Sequence, residues 1–242
     1  MRGRLDRRMR LFRLVADHSA TSPQRGGHAR LVHICRTASE VLHASGASVT
    51  IMSTAGWRGL VAATGSRGEE LEDLQAVSGE GPCLDAFRSG YPVLVDDLLD
   101  AAWAGWTGYA PLAQAAGVRA VFAFPLQVGG TRIGALDVYR DHAGSLTADE
   151  LADASILADL MLNTLLEGAP ASDGAPMALA LDEALDYRIY QAQGMVGAQL
   201  ELGPVDAMGR LRAYALAHDL RLSDVAGDVV SGRLSWEGER HD

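Results

Sequence analysis

Apolar residues recur along the chain with two different periods, and short β-branched runs mark the strands. Two of these runs flank Gly129-Gly130, a two-residue pair typical of a tight β-hairpin. Each run is bounded by glycine, proline or charged residues that favour turns. The sequence therefore predicts one antiparallel sheet, with strands at residues 47–53, 59–64, 92–96, 120–128 and 132–139.

A helical period separates these strands and predicts the layers that cover the sheet. The glycine-proline turn at residues 79–82 leads into a further short helix that contains Cys83. A short helix is also predicted at residues 71–77, and further helices at residues 30–44, 107–116 and 147–166. Helices packed against an antiparallel sheet make an α+β sandwich, which is the fold class we expect for this part of the chain.

The last third of the chain has only the helical period and predicts a compact all-α bundle of three short helices. The first helix spans residues 177–200 and the second residues 204–219. The third begins after Leu222, with Ser223 placed to cap it.

Two glycines, Gly194 and Gly197, lie inside the first of these three helices. Each costs about 1 kcal/mol of helix stability relative to alanine. They are either tolerated weaknesses or positions where another helix crosses closely.

Composition narrows the class of protein. The 242 residues have a formal net charge of −10, which argues against a generally basic nucleic-acid-binding surface. Cys35 and Cys83 are the only cysteines, so no disulfide framework is implied and a reducing cytoplasm is expected. No apolar run approaches the ~20 residues that span a membrane, so no membrane partner is expected.

Residues 1–27 form an arginine-rich leader with a net charge of +5. It lacks the apolar run of a secretory signal. It is either a nucleic-acid-binding arm, an unstructured extension or the result of an upstream start codon. We favour a disordered leader.

Candidate chemistry is sparse. Cys83 stands at a predicted helix start, which favours a thiolate, although a buried inert cysteine is the commoner case. The histidines His18, His28, His33 and His43 are not spaced as a ligand set, so we expect surface histidines, no metal and no cofactor. Phosphate-binding loops, nucleophile elbows and zinc-protease motifs are absent from the sequence, so no catalytic residue is assigned. Trp103, Trp106 and Tyr109 either line a ligand pocket or pack as a lid.

The segments GEGPCLDAF, YPVLVDDL and GVRAVFAFPLQVGGTRIGALDVYR together resemble the GAF domain. The resemblance implies a domain over residues 28–167 that senses a small molecule or dimerises and regulates an output domain on the same chain. Cys83, Trp103, Trp106 and Tyr109 are then the candidate ligand-binding residues.

A second resemblance lies in the predicted bundle, and it is to the ANTAR domain, a three-helix RNA-binding module. Its motifs here are Gln191-Ala192-x-Gly194, Ala207, Leu211-Arg212-x-Tyr214-Ala215, Asp224-Val225-Ala226 and Val229-Val230. Many ANTAR domains have a lysine in the first motif, where this chain has Gln193. The RNA-binding residues that this implies are Arg188, Gln193, Arg210, Arg212, Tyr214 and Arg221, with Arg212 and Tyr214 the strongest candidates.

The two resemblances together predict a non-enzymatic, cytoplasmic antitermination regulator that binds paired hairpin loops of nascent leader RNA, as a homodimer. Residues 168–176 are the expected linker, residues 177–236 the RNA-binding domain and residues 237–242 a tail. Two alternatives remain open at this point. One is a redox sensor or enzyme centred on Cys83, and the other is a dimeric scaffold whose bundle contacts protein.

Overall fold

A computed structural model describes residues 2–21, 26–52, 58–100, 105–167 and 188–236. The chain divides into two compact units, of which the first comprises Met1–Glu72 and Glu80–Leu185 and the second Asp73–Gly79 and Asp186–Asp242. The helices are α1 (Arg2–Thr21), α2 (Gly27–Val41), α3 (Gly65–Ser78), α4 (Pro82–Ser89), α5 (Tyr109–Ala115), α6 (Ala148–Glu167), α7 (Arg188–Leu200), α8 (Pro204–Ala217) and α9 (Leu222–Val230). The strands are β1 (Gly46–Met52), β2 (Arg58–Ala63), β3 (Val93–Val95), β4 (Ala120–Val128) and β5 (Thr131–Arg140).

The five strands of the first unit form one antiparallel sheet in the order β2-β1-β5-β4-β3. The predicted hairpin is present, because β4 and β5 pair across Gly129 and Gly130, both with positive φ. Glycine adopts that conformation without steric cost, as the tight turn requires. The sequence-predicted sheet is therefore confirmed, with strand boundaries that differ by at most two residues.

One face of the sheet packs against α2 and α6 and forms the larger core of the unit. Alternate residues of β1 point into it (Ala47, Val49 and Ile51), as the period of two requires. Phe122 and Phe124 of β4 face the same core and are almost completely buried. The other face carries α4 and a smaller cluster around Cys83.

Residues 2–21 form helix α1, so the expectation of a disordered leader is wrong for this segment. Leu11 and Val15, one turn apart, are buried in the core shared with α2 and α6. Arg7 and Arg10 both pair with Asp153 of α6, at 3.2 and 2.5 Å. A narrow apolar stripe and ion pairs thus order a helix whose composition is dominated by charge.

The first turn of α6 is closed by a capping box. The Thr147 backbone amide donates to Glu150 Oε2 at 2.7 Å, and the Glu150 amide donates to Thr147 Oγ1 at 3.2 Å. Glu150 also accepts a hydrogen bond from Arg140 Nη2 at 2.6 Å, and both side chains are mostly buried.

The second unit contains α7, α8 and α9. Each helix contributes buried residues from successive turns to one small shared core. Its fully buried members are Ala192, Val196, Ala207, Leu211, Ala215, Val225, Ala226 and Val229. The predicted cap at Ser223 is wrong: Arg221 is the N-cap residue of α9, with an extended backbone and no side-chain capping bond. The predicted first turns of the first helix, residues 177–187, and the predicted linker, residues 168–176, lie outside the described residues.

The two glycines of α7 have different surroundings. A Cβ at Gly197 would lie 3.1 Å from the Leu202 carbonyl oxygen, in the turn that follows α7, and 3.7 Å from Ala207 Cβ of α8, which is an ordinary contact distance. A Cβ at Gly194 would meet no atom within 4 Å. The close-crossing interpretation is wrong for Gly194, and at Gly197 the tight contact is with the turn after α7 while α8 lies at ordinary contact distance.

This difference yields a prediction. Gly194→Ala should raise the free energy of unfolding by about 1 kcal/mol, the helix-propensity difference between the two residues. Gly197→Ala should give no such gain, because the added methyl group must displace the Leu202 carbonyl. Urea denaturation of the full chain, followed by circular dichroism, measures both. An equal gain in the two variants would contradict the close approach at Gly197.

No helix in the described part of the chain combines the length and the apolar character needed to cross a membrane.

Candidate functional site

The second face of the sheet carries polar side chains in the interior of the first unit. Ser48 and Thr50 of β1 point to this face and are buried, while their neighbours along the strand face the larger core. Their hydroxyl groups donate to the two oxygens of Glu72, at 2.9 Å from Ser48 and 2.7 Å from Thr50. Because a buried carboxylate needs hydrogen-bond donors, these contacts fix the position of Glu72 of α3 against the sheet.

Cys83 lies beside this carboxylate. It is the second residue of α4, after Pro82 at the first position, where proline suits the helix start. The residue is fully buried and packs with Met52, Ala123 and Ala135. Its Sγ and one oxygen each from Glu72 and Asp137 lie within 4.8 Å of one another.

The sequence analysis selected Cys83 but missed Glu72 and Asp137. One signal for Asp137 was present, since it interrupts the apolar run Leu136-Asp137-Val138 in the last strand. A charged residue at an inward position of a strand needs a specific partner inside the protein. Nothing comparable pointed to Glu72, which belongs to an acidic helix with two other glutamates and an aspartate.

The predicted aromatic residues lie where α4 and α5 meet. Trp106 Nε1 donates to Asp85 Oδ2 at 2.8 Å, and its ring meets Tyr109 edge-on with centroids 5.7 Å apart. Tyr109 is only 1 % exposed. The hydrogen bond therefore connects the segment before α5 to α4, and a ligand-binding role for Trp106 and Tyr109 stays a prediction. Trp103 lies outside the described residues.

The two cysteines are separated by the sheet. Cys35 of α2 belongs to the larger core, where its Sγ lies 3.9 Å from the Ala62 carbonyl oxygen. Burial raises the pKa of the Cys35 thiol, and the nearby Glu72 carboxylate adds to this effect. Cys83 belongs to the cluster on the opposite face. The fold therefore keeps the two sulfurs apart, and the one cysteine available as a redox partner for Cys83 is not beside it.

The expectation of surface histidines is wrong for His33. This residue of α2 is fully buried, and neither ring nitrogen has a hydrogen-bond partner among the described residues. Burial lowers the pKa of His33, and the charges of Arg36 and His18 lower it further. The neutral ring is the form that the native state accommodates.

His33→Leu should therefore raise the free energy of unfolding by roughly 1–3 kcal/mol, because it removes unsatisfied buried polar atoms. In the native protein the pKa of His33 is below its unfolded value near 6.5, so the unfolded chain binds the extra proton first. Stability is lost as the pH falls below about 6.5.

The leucine variant should lose the part of this dependence that His33 causes. Denaturation at several pH values measures it, with His28→Leu, an exposed site on the same helix, as the control. An unchanged slope in the His33 variant would contradict the assignment.

In the second unit, two of the predicted RNA-binding residues share one face of α8. Arg210 is exposed, and Tyr214 follows one turn later and is half-buried. The Tyr214 ring stacks on His218 with centroids 4.0 Å apart, and it meets the buried Trp236 edge-on at 5.5 Å. Arg210, Tyr214 and His218 therefore form a stripe at i, i+4 and i+8, which we call the α8 stripe. The sequence analysis missed His218.

The other predicted residues lie elsewhere in this unit. Gln193 Nε2 donates to the Pro204 carbonyl oxygen at 2.6 Å, and Arg212 Nε donates to the Ala76 carbonyl oxygen at 2.8 Å. Arg221 pairs with Asp73, and Arg188 is exposed at the start of α7 beside Gly227 of α9. These contacts leave the assignment of an RNA-binding role to the six residues a prediction.

A family model for the GAF domain matches residues 28–165. No curated protein matches the chain. Among solved structures, the GAF domain of a phosphoenolpyruvate-protein phosphotransferase from Acinetobacter is 12 % identical, with 66 % of this chain and 91 % of that chain covered and a TM-score of 0.50. The equivalent domain from Coxiella burnetii is 16 % identical over 67 % of this chain and 94 % of that chain, with a TM-score of 0.49.

A free methionine-R-sulfoxide reductase from Neisseria meningitidis, solved with its substrate, is also similar. It is 16 % identical, with 64 % of this chain and 87 % of that chain covered and a TM-score of 0.46. At these identities the likeness concerns the fold.

Proposed function

Since the chain belongs to the GAF domain family through residues 28–165, we propose that it is a two-part regulator of transcription antitermination. The GAF domain binds a small-molecule signal or dimerises. The second unit, which resembles an ANTAR domain in sequence, binds hairpin loops of nascent leader RNA in the cytoplasm. The signal changes how often two such units are presented together, which is a shift between existing populations.

The observation that carries the RNA-binding half is the α8 stripe. Single-stranded loops are bound by aromatic rings that stack on splayed bases and by cations that contact the backbone. Arg210 supplies an exposed cation, and the stacked rings of Tyr214 and His218 supply an aromatic surface next to it. Residues 177–242 have a net charge of −5, so their contact with RNA depends on such a local group of residues and not on the overall charge.

The proposal includes a homodimer, because a single α8 stripe makes few contacts and is expected to bind RNA weakly. A two-fold dimer presents the α8 stripe twice, and an RNA with two hairpins then binds with avidity. The proposal therefore includes paired hairpins as the target.

The test measures binding of the full chain to a two-hairpin RNA and to its single-hairpin control at two salt concentrations. We expect preference for the paired hairpins and weaker binding at high salt. Tyr214→Ala should weaken binding by roughly 5- to 150-fold, the equivalent of about 1–3 kcal/mol per stacked base. Tyr214→Phe keeps the ring and should bind like the original chain.

Arg233→Ala is the matched charge control, because Arg233 is exposed beyond α9 and pairs with Asp228 at 2.6 Å. It should change binding little. If Tyr214→Ala and Arg210→Ala both bind both RNAs as the original chain does, the α8 stripe is not the RNA surface. If the original chain binds neither RNA, the proposed function is wrong.

A further inference from the structure

Three distant segments bring metal-ligating side chains together inside the GAF domain. Glu72 comes from α3, Cys83 from α4 and Asp137 from β5. One donor atom from each lies within 4.8 Å of the other two, and all three residues are at least 94 % buried. The spacing of the histidines predicted no metal site, and Glu72, Cys83 and Asp137 are too far apart in the sequence to form a recognisable ligand motif.

The spacing of the donor atoms is compatible with one shared ion. Zinc in proteins has sulfur ligands at about 2.3 Å and carboxylate oxygens at about 2.0–2.2 Å, in a tetrahedral arrangement. Donor atoms around such an ion are therefore separated by roughly 3.3–3.8 Å. The three donor atoms lie within 4.8 Å of one another, so at most a small inward shift brings them to these separations.

The types of donor atom indicate the class of ion. A thiolate disfavours Mg²⁺ and Ca²⁺, which prefer oxygen ligands alone, whereas a thiolate combined with carboxylates suits Zn²⁺. Three protein ligands also leave a fourth position open, as in zinc sites that bind an exchangeable ligand.

Electrostatics and orientation add a separate argument. When the site binds an ion, its ligands are two carboxylates and a thiolate, and the divalent cation balances their charge in an interior that excludes water. Ser48 and Thr50 hydrogen-bond the two oxygens of Glu72, as outer-shell residues do when they orient a metal-ligating carboxylate. The cluster thus has a ligand set and a supporting shell.

We propose that Glu72, Cys83 and Asp137 bind a divalent transition-metal ion, Zn²⁺ being the ion that fits this donor set, and that this ion is the signal of the GAF domain. The ligands hold two helices against the sheet, so occupation of the site tightens the interior on the face that carries α4. The proposed metal binding does not depend on the proposed function, whereas the regulatory role of the ion rests on it.

The test uses the full chain after removal of metals with a chelator. Titration with Zn²⁺ against a chromophoric chelator should give one ion per chain, and Cys83→Ser should abolish stoichiometric binding. Co²⁺ as a spectroscopic substitute should produce a near-ultraviolet sulfur-to-cobalt charge-transfer band, which reports thiolate ligation directly. That band should be absent in Cys83→Ser and present in Cys35→Ser, whose thiol is also buried but lies on the other face of the sheet.

Asp137→Asn is a second variant, which should keep the cobalt band and bind Zn²⁺ more weakly. Circular dichroism confirms that each variant is folded. Absence of both zinc binding and the cobalt band in the original chain would overturn the proposal.

The RNA assay above, repeated with and without Zn²⁺, separates the two hypotheses. If the chain binds zinc through Cys83 and binds RNA equally with and without it, the ion is not the signal. If it binds zinc and no RNA, the metal site holds and the proposed function fails.

Discussion

Replacing Arg140 with methionine should lower the free energy of unfolding by about 3–5 kcal/mol, the usual cost of removing one partner of a buried ion pair. Arg140 is 5 % exposed, lies over the ring of Phe122 with its guanidinium carbon 5.4 Å from the centroid, and pairs with Glu150 at 2.6 Å. Its Nε and Nη2 also donate to the Leu42 carbonyl oxygen at 3.2 and 2.5 Å. Methionine fills similar space but leaves the carboxylate and the carbonyl without these donors.

A second substitution separates charge from packing. Glu150→Gln in the Arg140→Met background removes the uncompensated charge and keeps an oxygen for the Thr147 amide, so part of the lost stability should return. Burial opposes ionisation of Glu150, but the hydrogen bonds from Thr147 and the charge of Arg140 together lower its pKa. The contribution of the pair is therefore complete above the unfolded pKa near 4.5 and is lost as the pH falls through the lower native value.

Urea denaturation at neutral pH and at acidic pH measures both effects. Arg119→Met is the matched control, because the side chains of its ion pair with Asp97 are 37 % and 30 % exposed, so solvent screens this pair far more than the Arg140–Glu150 pair. Equal losses in Arg119→Met and Arg140→Met would show that the buried arginine has no special role.

Leu11→Ala should lower the free energy of unfolding by about 2–5 kcal/mol, the range for truncation of a fully buried leucine. Leu11 belongs to α1, which the sequence analysis assigned to a disordered leader, yet its side chain is completely buried against α2 and α6. The same substitution at Leu5 of the same helix is the control, since that side chain is 64 % exposed. A disordered leader would make both substitutions neutral, and the described packing makes only the first costly.

Thermal or urea unfolding of the two variants measures this difference. The Leu5 variant should stay within about 0.5 kcal/mol of the original chain, as exposed substitutions do. A loss at Leu5 equal to that at Leu11 would mean that the two faces of α1 are differently placed from those described.

The sheet was predictable because each strand has a local sequence pattern that is typical of β-structure. Residues 120–128 and 131–140 combine β-branched and aromatic residues with a Gly-Gly turn, and no competing helical period exists there. Helix α1 was not predictable from the same kind of pattern. Its six arginines are interleaved with the apolar residues, and two of them pair with Asp149 and Asp153, which lie more than 140 residues away in the chain.

The candidate site was only partly predictable for a similar reason. Cys83 is marked by the Gly81-Pro82 turn before it, but Glu72 and Asp137 join it through the packing of α3 and α4 on one face of the sheet. In the second unit, the helical period identified α8 and its core correctly. The stack of Tyr214 on His218 depends on side-chain rotamers, which spacing along a helix permits but does not determine.

The two cysteine thiols lie on opposite sides of one sheet. Each thiol can therefore report the local opening of the layer that covers it. In Cys83→Ser, pulse labelling with a thiol reagent reports how often the layer formed by α2 and α6 lifts from the sheet, because Cys35 is reached only then. In Cys35→Ser, the labelling rate of Cys83 reports the layer that contains α4. The ratio of the two rates ranks the two sides of the domain by local stability, without the introduction of any new cysteine.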